Sequence, residues 1–261
     1  MILDEWCHIS GAKFNKEKTK IIPIGREKHQ HNAMTMRILN PRNQTPLPEG
    51  IRIAKDGDAT RMLGTWIGNK TEDLTPWEPI IDKTNTKLER WKKAHPILSG
   101  RKIITQMVVG GHTQFLTQAQ GMLKETKDTL NRMIKNFVWE DDSSPRIANK
   151  TLRNPIMEGS LDLLDLEIRN EAINIMWLKT YLDFSPKRPE WATITDLIIE
   201  ASAPERLVKT AIINPFLQQW TAPTRRNDMQ KTSDDIQRMI KVAKKFNTNF
   251  AAIRLTPQLS A

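Results

Sequence analysis

A single cysteine, Cys7, stands in 261 residues, so the chain can form no intramolecular disulfide and no cysteine-rich zinc site. That usage fits a reducing compartment. Long apolar runs are absent too: none approaches the ~20 residues a membrane-spanning helix needs. Residues 1–15 hold no extended apolar core of the secretory kind. The expectation is an intracellular, soluble protein with no membrane partner, nucleus or cytoplasm left open. Several familiar chemistries are missing as motifs: there is no Walker loop, GxGxxG turn, HExxH or GxSxG. His29 and His31 lie two apart in a polar stretch with no third ligand near in sequence, which reads as a surface pair rather than a metal site.

What is present is positive charge. Forty basic residues against thirty acidic ones give +10 and a pI near 9.7, a balance that favours polyanionic partners without fixing a fold. The chain is polar, with 38% hydrophobic residues and a mean hydropathy of -0.53. Its eight tryptophans nevertheless argue against disorder, and its length suffices for one large domain or two small ones.

Residues 2–9 read as the last turns of a helix, stopped at Ser10-Gly11. Lys20 to Ile24 is a short strand in which Pro23 marks an edge or an end. Residues 26–50 read as a long loop with three prolines, and two more short strands follow in "IRIA" and "MLGTWIG". From Thr75 the period changes. "TPWE" predicts a helix start with Thr75 as N-cap, Pro76 at the first position and Glu78 completing the capping box.

Trp77, Ile80, Ile81, Leu88 and Trp91 then recur near a 3.6-residue period, and that stripe favours the core over a stacking platform for both tryptophans. A second helix from Ser99 carries Ile103, Ile104, Met107 and Val108, with Gly110-Gly111 marking a kink or a weak point. A third spans about Lys124 to Trp139. After a polar connector (Asp141 to Arg146) come a helix over Leu166 to Leu182 and shorter ones near 190–202, 205–220 and 233–246. The fold class is α+β, mostly α: a small mixed segment, then a long helical one.

Two acidic pairs invite a metal reading. Asp141-Asp142 follows a helix and precedes Ser-Ser-Pro, whereas a metal-holding Asp-Asp pair needs a tight hairpin to fix its carboxylates. Asp234-Asp235 fits the first turn of a helix capped by Ser233, where acids oppose the macrodipole. Neither is assigned as a catalytic or metal site.

Four ordered blocks carry a likeness. "SGAKFNKEKTKIIPIG" holds Ser10-Gly11, Asn15 and Lys18-Thr19, and its four lysines face one acid. "MLGTWIG" holds Leu63-Gly64. "ERWKKAHPILSGRKIITQMVV" pairs a Trp-ending helix with Gly100-Arg101 and an apolar helix. "MIKNFVWEDD" and "PIMEGSLDLLDLEIRNEA" complete the set, with Gly159-Ser160-Leu161 at a Gly-Gly-Leu position.

Over about residues 2–185 the chain resembles the distal half of the reverse transcriptase (an RNA-directed DNA polymerase) of LINE-type, non-LTR retrotransposons, fungal elements in particular. The resemblance implies an incomplete palm-like segment (1–72) with a post-catalytic helix, basic turn and short strands. It implies a helical thumb-like segment (73–140) and an α-rich post-thumb region (141–261). It also places Lys18 beside the phosphates and Leu63-Gly64 on the turn that grips the primer strand.

Between Lys83 and Lys102 seven basic residues face one acid, Glu89, a local charge of +6. Lys92, Lys93, Arg101 and Lys102 flank one helix–helix turn there. They are the candidate backbone contacts to a template–primer duplex, an RNA–DNA hybrid or another duplex, selective for shape rather than sequence. The competing expectation is an inert or protein-interaction helical remnant of a transposable element, with no nucleic-acid role.

The resemblance puts the catalytic carboxylates, one Asp and an Asp-Asp hairpin, upstream of Met1. Magnesium is implied only for a complete parent enzyme, and no cofactor is assigned to this chain. Two-metal phosphoryl transfer requires those carboxylates. Primer extension by the purified chain on a primed RNA template is therefore expected to yield no product, and an extended primer would overturn the reading.

Overall fold

Among the described residues the protein is mostly helical, with two small sheets. The computed structural model describes residues 2–13, 15, 18–38, 46–69, 71, 74–140, 147–183, 185–201 and 234–246. It divides into two compact units, Met1–Lys83 and Thr84–Ala261.

In the first unit, α1 (Ile2–Ser10) stops where its sequence demands. Gly11 takes φ +67, and the Ser10 hydroxyl donates to the Trp6 carbonyl at 2.6 Å. Strand β1 (Lys20–Ile21) pairs in parallel with β2 (Arg52–Ile53). It ends earlier than the predicted Ile24, because Pro23 has no N–H to donate. The Pro23 carbonyl instead accepts from Asn69 Nδ2 at 2.6 Å.

The stretch predicted as a loop over 26–50 contains a helix, α2 (Glu27–Thr35). It buries only Ala33, so it has no apolar period to betray it. His29 and His31 both lie on it. Beyond it Arg37, at φ +55, sends its guanidinium to the carbonyls of Leu47, Pro48 and Ile51 at 3.3, 2.7 and 2.6 Å. "MLGTWIG" is not one strand: β3 (Thr60–Met62) and β4 (Thr65–Ile67) form an antiparallel hairpin, with Met62 opposite Thr65.

The unit boundary falls within α3 (Glu78–Lys92), which starts at the glutamate of "TPWE" rather than at its threonine; Leu74–Trp77 form a preceding turn. In the second unit α4 (Leu98–Thr105), a π-helical turn (Gln106–Gly110) and α5 (Gly111–Gln120) run on as one rod. The paired glycines mark a register slip rather than a helix end. Helix α6 (Lys124–Trp139) has the predicted bounds, and its buried residues include Leu130, Ile134, Phe137 and Val138.

A short α7 (Asn149–Leu152) and a 3-10 turn (Ile156–Glu158) lead to Gly159 at φ +75. The left-handed residue of that turn is Gly159, and Ser160 has no positive φ. Helix α8 (Leu166–Tyr181) is capped by Asp165, which accepts from the N–H groups of Glu167 and Ile168 at 2.8 and 3.2 Å. Then follow α9 (Glu190–Ala201) and α10 (Asp234–Lys245). Asp234 and Asp235 occupy the first turn of α10 as anticipated. The Asp141-Asp142 pair, Ser233 and the helix predicted near 205–220 lie outside the described residues.

Two cores organise this unit. The first joins Leu88 of α3, Ile104, Val108 and Val109 of the rod, the buried face of α6, Leu152, Leu163 and Leu166. The second joins Leu178 and Tyr181 to Ala192 and Ile199 of α9 and to Ile236, Met239, Ile240 and Ala243 of α10. Because α8 serves both cores, its apolar residues are spread around it instead of forming one stripe. Among the described residues no helix is long and apolar enough to cross a membrane.

The end of the rod depends on Gly121, at φ +73 and ψ 172, a region essentially restricted to glycine. A Cβ there would also lie 2.3 Å from the Arg238 guanidinium. Gly121→Ala is expected to lower unfolding stability by about 1–3 kcal/mol. Gly111 is helical, and a Cβ on it meets nothing within 4 Å. Gly111→Ala should raise stability by about 0.5–1 kcal/mol. Urea unfolding of the two variants checks both signs.

Candidate nucleic-acid interface

The predicted contact residues fall into two groups by unit. In the first unit, Lys18 is exposed at the end of a turn wired by Asn15, whose Oδ1 accepts from the Lys18 N–H and whose carbonyl accepts from Thr19 Oγ1, both at 3.1 Å. Three residue types of the basic block, Asn15, Lys18 and Thr19, thus act together as one local device. Leu63 and Gly64 are the two central residues of the β3–β4 hairpin, at φ +49 and +93. Positive φ at both positions is the type I′ pattern, which Asn-Gly usually fills. Here a leucine occupies the first position and is 90% exposed. An L-residue with a Cβ pays roughly 1–2 kcal/mol for the left-handed region, so the hairpin holds an apolar tip in solvent against its backbone preference.

In the second unit the four basic residues separate into two kinds. Arg101 is engaged inside the fold: Nε donates to the Pro96 carbonyl and Nη1 to the Val138 carbonyl, each at 2.7 Å, and Nη2 pairs with the Glu140 carboxylate. Its side chain is only 15% exposed. The guanidinium fork binds the entry of α4 to the end of α6, where Glu140 forms the cap at φ +51. Lys102, 17% exposed, reaches Asp162 at 3.5 Å. Neither acid lies within the 83–102 segment, so local charge counting could not find them. Lys93 is exposed and Lys92 is half-buried.

A second face carries residues outside that predicted set. Lys87, Arg90, Trp91 and Ala94 follow an i, i+3, i+4, i+7 spacing down one face of α3 and its exit. With Met107 and Val108 of the rod they line a groove of about 560 Å³. Trp91 is 42% exposed, a correction to its assignment to the core. Trp77, read from the same stripe, is fully buried. Ile103 and Met107 also face outward, whereas Ile104 and Val108 face in. The π turn that follows Thr105 changes the phase on which a single helical stripe depends.

Beside the groove the rod carries two buried polar contacts. Thr84 Oγ1 lies 3.0 Å from His112 Nδ1. Arg169 of α8 donates to Thr113 Oγ1 at 2.7 Å, to Thr117 Oγ1 at 3.3 Å and to the Gly110 carbonyl at 3.4 Å. Burial pushes the Arg169 guanidinium down to about 10, which leaves it charged at neutral pH. Among the described residues no group of three or more His, Cys, Asp or Glu side chains is placed to hold a metal ion. Comparison with protein-family models, curated proteins and solved structures finds no match to this chain.

The Arg101 clamp is a structural role with a distinct outcome. Arg101→Met is expected to destabilise the second unit by about 1–3 kcal/mol, the range for losing charge-assisted hydrogen bonds to half-buried acceptors. Thermal unfolding checks the loss, and an unchanged midpoint would return Arg101 to the solvent-facing set.

Proposed function

We infer that the second unit binds nucleic acid, as the thumb-like part of a chain related to non-LTR retrotransposon reverse transcriptases. The observation that carries this reading is the α3 face, where Lys87, Arg90 and Trp91 border one groove whose lining includes no acid. Lys93, just past the end of α3, is exposed as well. Each such cation gains chiefly by displacing condensed counterions from a phosphate backbone. Contacts of that kind position a duplex without reading its sequence.

The resemblance adds the ligand: a template–primer duplex, with Leu63-Gly64 as an apolar tip toward the primer strand and Lys18 toward phosphate. The hairpin supports that part of the reading, since an exposed leucine held at positive φ has no structural return of its own. Arg101 supports it indirectly, since its hydrogen bond to the Pro96 carbonyl holds the turn between α3 and α4, while Lys102 pairs with Asp162.

Binding to an RNA–DNA hybrid should weaken linearly in log K against log salt, with a slope of roughly 2–3 for contacts by Lys87, Arg90 and Lys93. The triple variant Lys87→Glu, Arg90→Glu, Lys93→Glu should abolish most of that slope. Salt-independent binding, or none at low salt, would sink the proposal.

A further inference from the structure

We propose that Trp91 is a stacking platform for an unpaired base, so that the groove of the second unit takes a nucleic acid with a single-stranded portion rather than a fully paired duplex. This rests on the nucleic-acid reading of the same groove and sharpens the ligand it accepts.

The geometry points there in three ways. Trp91 is 42% exposed although it sits beside Leu88, a residue of the first core. Among the described residues its indole N–H makes no hydrogen bond, whereas that of Trp177 donates to the Gln118 carbonyl at 3.0 Å. The ring borders the groove with Met107, itself 56% exposed, and with Lys87, one helical turn before it, and Arg90, its neighbour in sequence.

An apolar ring flanked by cations is the arrangement single-stranded binding surfaces use: the cations follow the backbone, and the ring covers the π-face of a base. A base paired and stacked within a duplex offers no free face, so the interior of a duplex engages only the cations. A base at a template overhang or in a single strand engages both. Stacking tolerates any base, so this site discriminates by strandedness and not by sequence. The groove volume, about 560 Å³, lies within the range of sites that hold small organic ligands.

Three labelled probes in fluorescence anisotropy test this: a blunt RNA–DNA hybrid, the same hybrid with an unpaired template extension, and a single-stranded RNA of equal length. Trp91→Leu keeps apolar volume against Leu88 and removes the aromatic face; Trp91→Phe keeps a ring. Trp91→Leu is expected to weaken the overhang and single-strand probes roughly tenfold or more while leaving the blunt hybrid within about twofold, and Trp91→Phe should retain most of the affinity.

Equal losses on all three probes, or no loss on any, would overturn the platform. The double variant Lys87→Glu, Arg90→Glu separates the two levels of the argument. If it is silent on every probe, the nucleic-acid reading itself fails. If it weakens all three probes while Trp91→Leu is silent, only the platform fails.

Discussion

The rod from Leu98 to Gln120 changes register once, at the π turn of Gln106–Gly110, and the second unit is arranged around that change. Before it, Ile104 faces the first core. Within it, Val108 and Val109 do so. After it, Thr113, Leu116 and Thr117 are buried, and the two threonines meet a half-buried cation, Arg169. A π turn misaligns carbonyls along the helix axis, and the Gly110 carbonyl within this one receives a hydrogen from Arg169. Among the described residues that guanidinium is met by hydroxyls, a carbonyl and the Asn170 side chain rather than by a carboxylate. Charge therefore holds α8 against the rod through hydrogen bonding. The arrangement comes at the cost of desolvating the cation, which lowers its pKa.

With the rod so fixed, the positive charge of the α3–α4 region divides into two populations. Arg101 and Lys102 lie at the start of the rod and are drawn to Glu140 and Asp162, acids from segments distant in sequence. Lys87 and Arg90 lie on α3, across the groove from Met107, and stay exposed. A bidentate or forked arginine suits a fixed structural contact better than lysine does, because its donors are preorganised. Arg101 is used in that way here, with three carbonyl or carboxylate acceptors. Net charge along a segment and charge presented to a ligand are different quantities, and only folding separates them.

The same distinction explains what the sequence could reveal. Helix α6 was legible in extent because its apolar stripe faces one core. Helix α8 was legible in extent, since its Asp165 cap and length are local features, though its service to two cores was not. Helix α2 was invisible, as a helix that buries one alanine leaves no period. Trp91 was assigned inward from a stripe that holds only for a fully covered face. The partners Glu140 and Asp162 carry no sequence signal at all toward Arg101 and Lys102, since contacts between distant segments follow from the fold. The Leu63-Gly64 turn was visible as a motif, but the positive φ of Leu63 was not, because leucine is a residue that propensity argues out of that position.

The first unit is held together differently, and that difference bears on what its motifs can do. Its buried apolar side chains among the described residues are few: Pro23, Ala33, Ala54, Pro76 and Trp77 lie before the boundary. Its sheets are two and three residues long. Side chains gripping backbone supply much of the rest: Arg37 on three carbonyls, Asn69 on Pro23, Asn15 around Lys18 and Thr19, and Asp58 on the Lys55 N–H and Arg52. The Asp58 carboxyl is held below its usual range by those last two contacts, the Lys55 N–H first. Such bonds set local geometry well but bury little area, and buried area is the main source of cooperative stability. The Lys18 turn and the Leu63 tip are thus shaped locally, each by its own few bonds. The groove of the second unit is instead shaped by a shared core, so its geometry persists or is lost with that core as a whole.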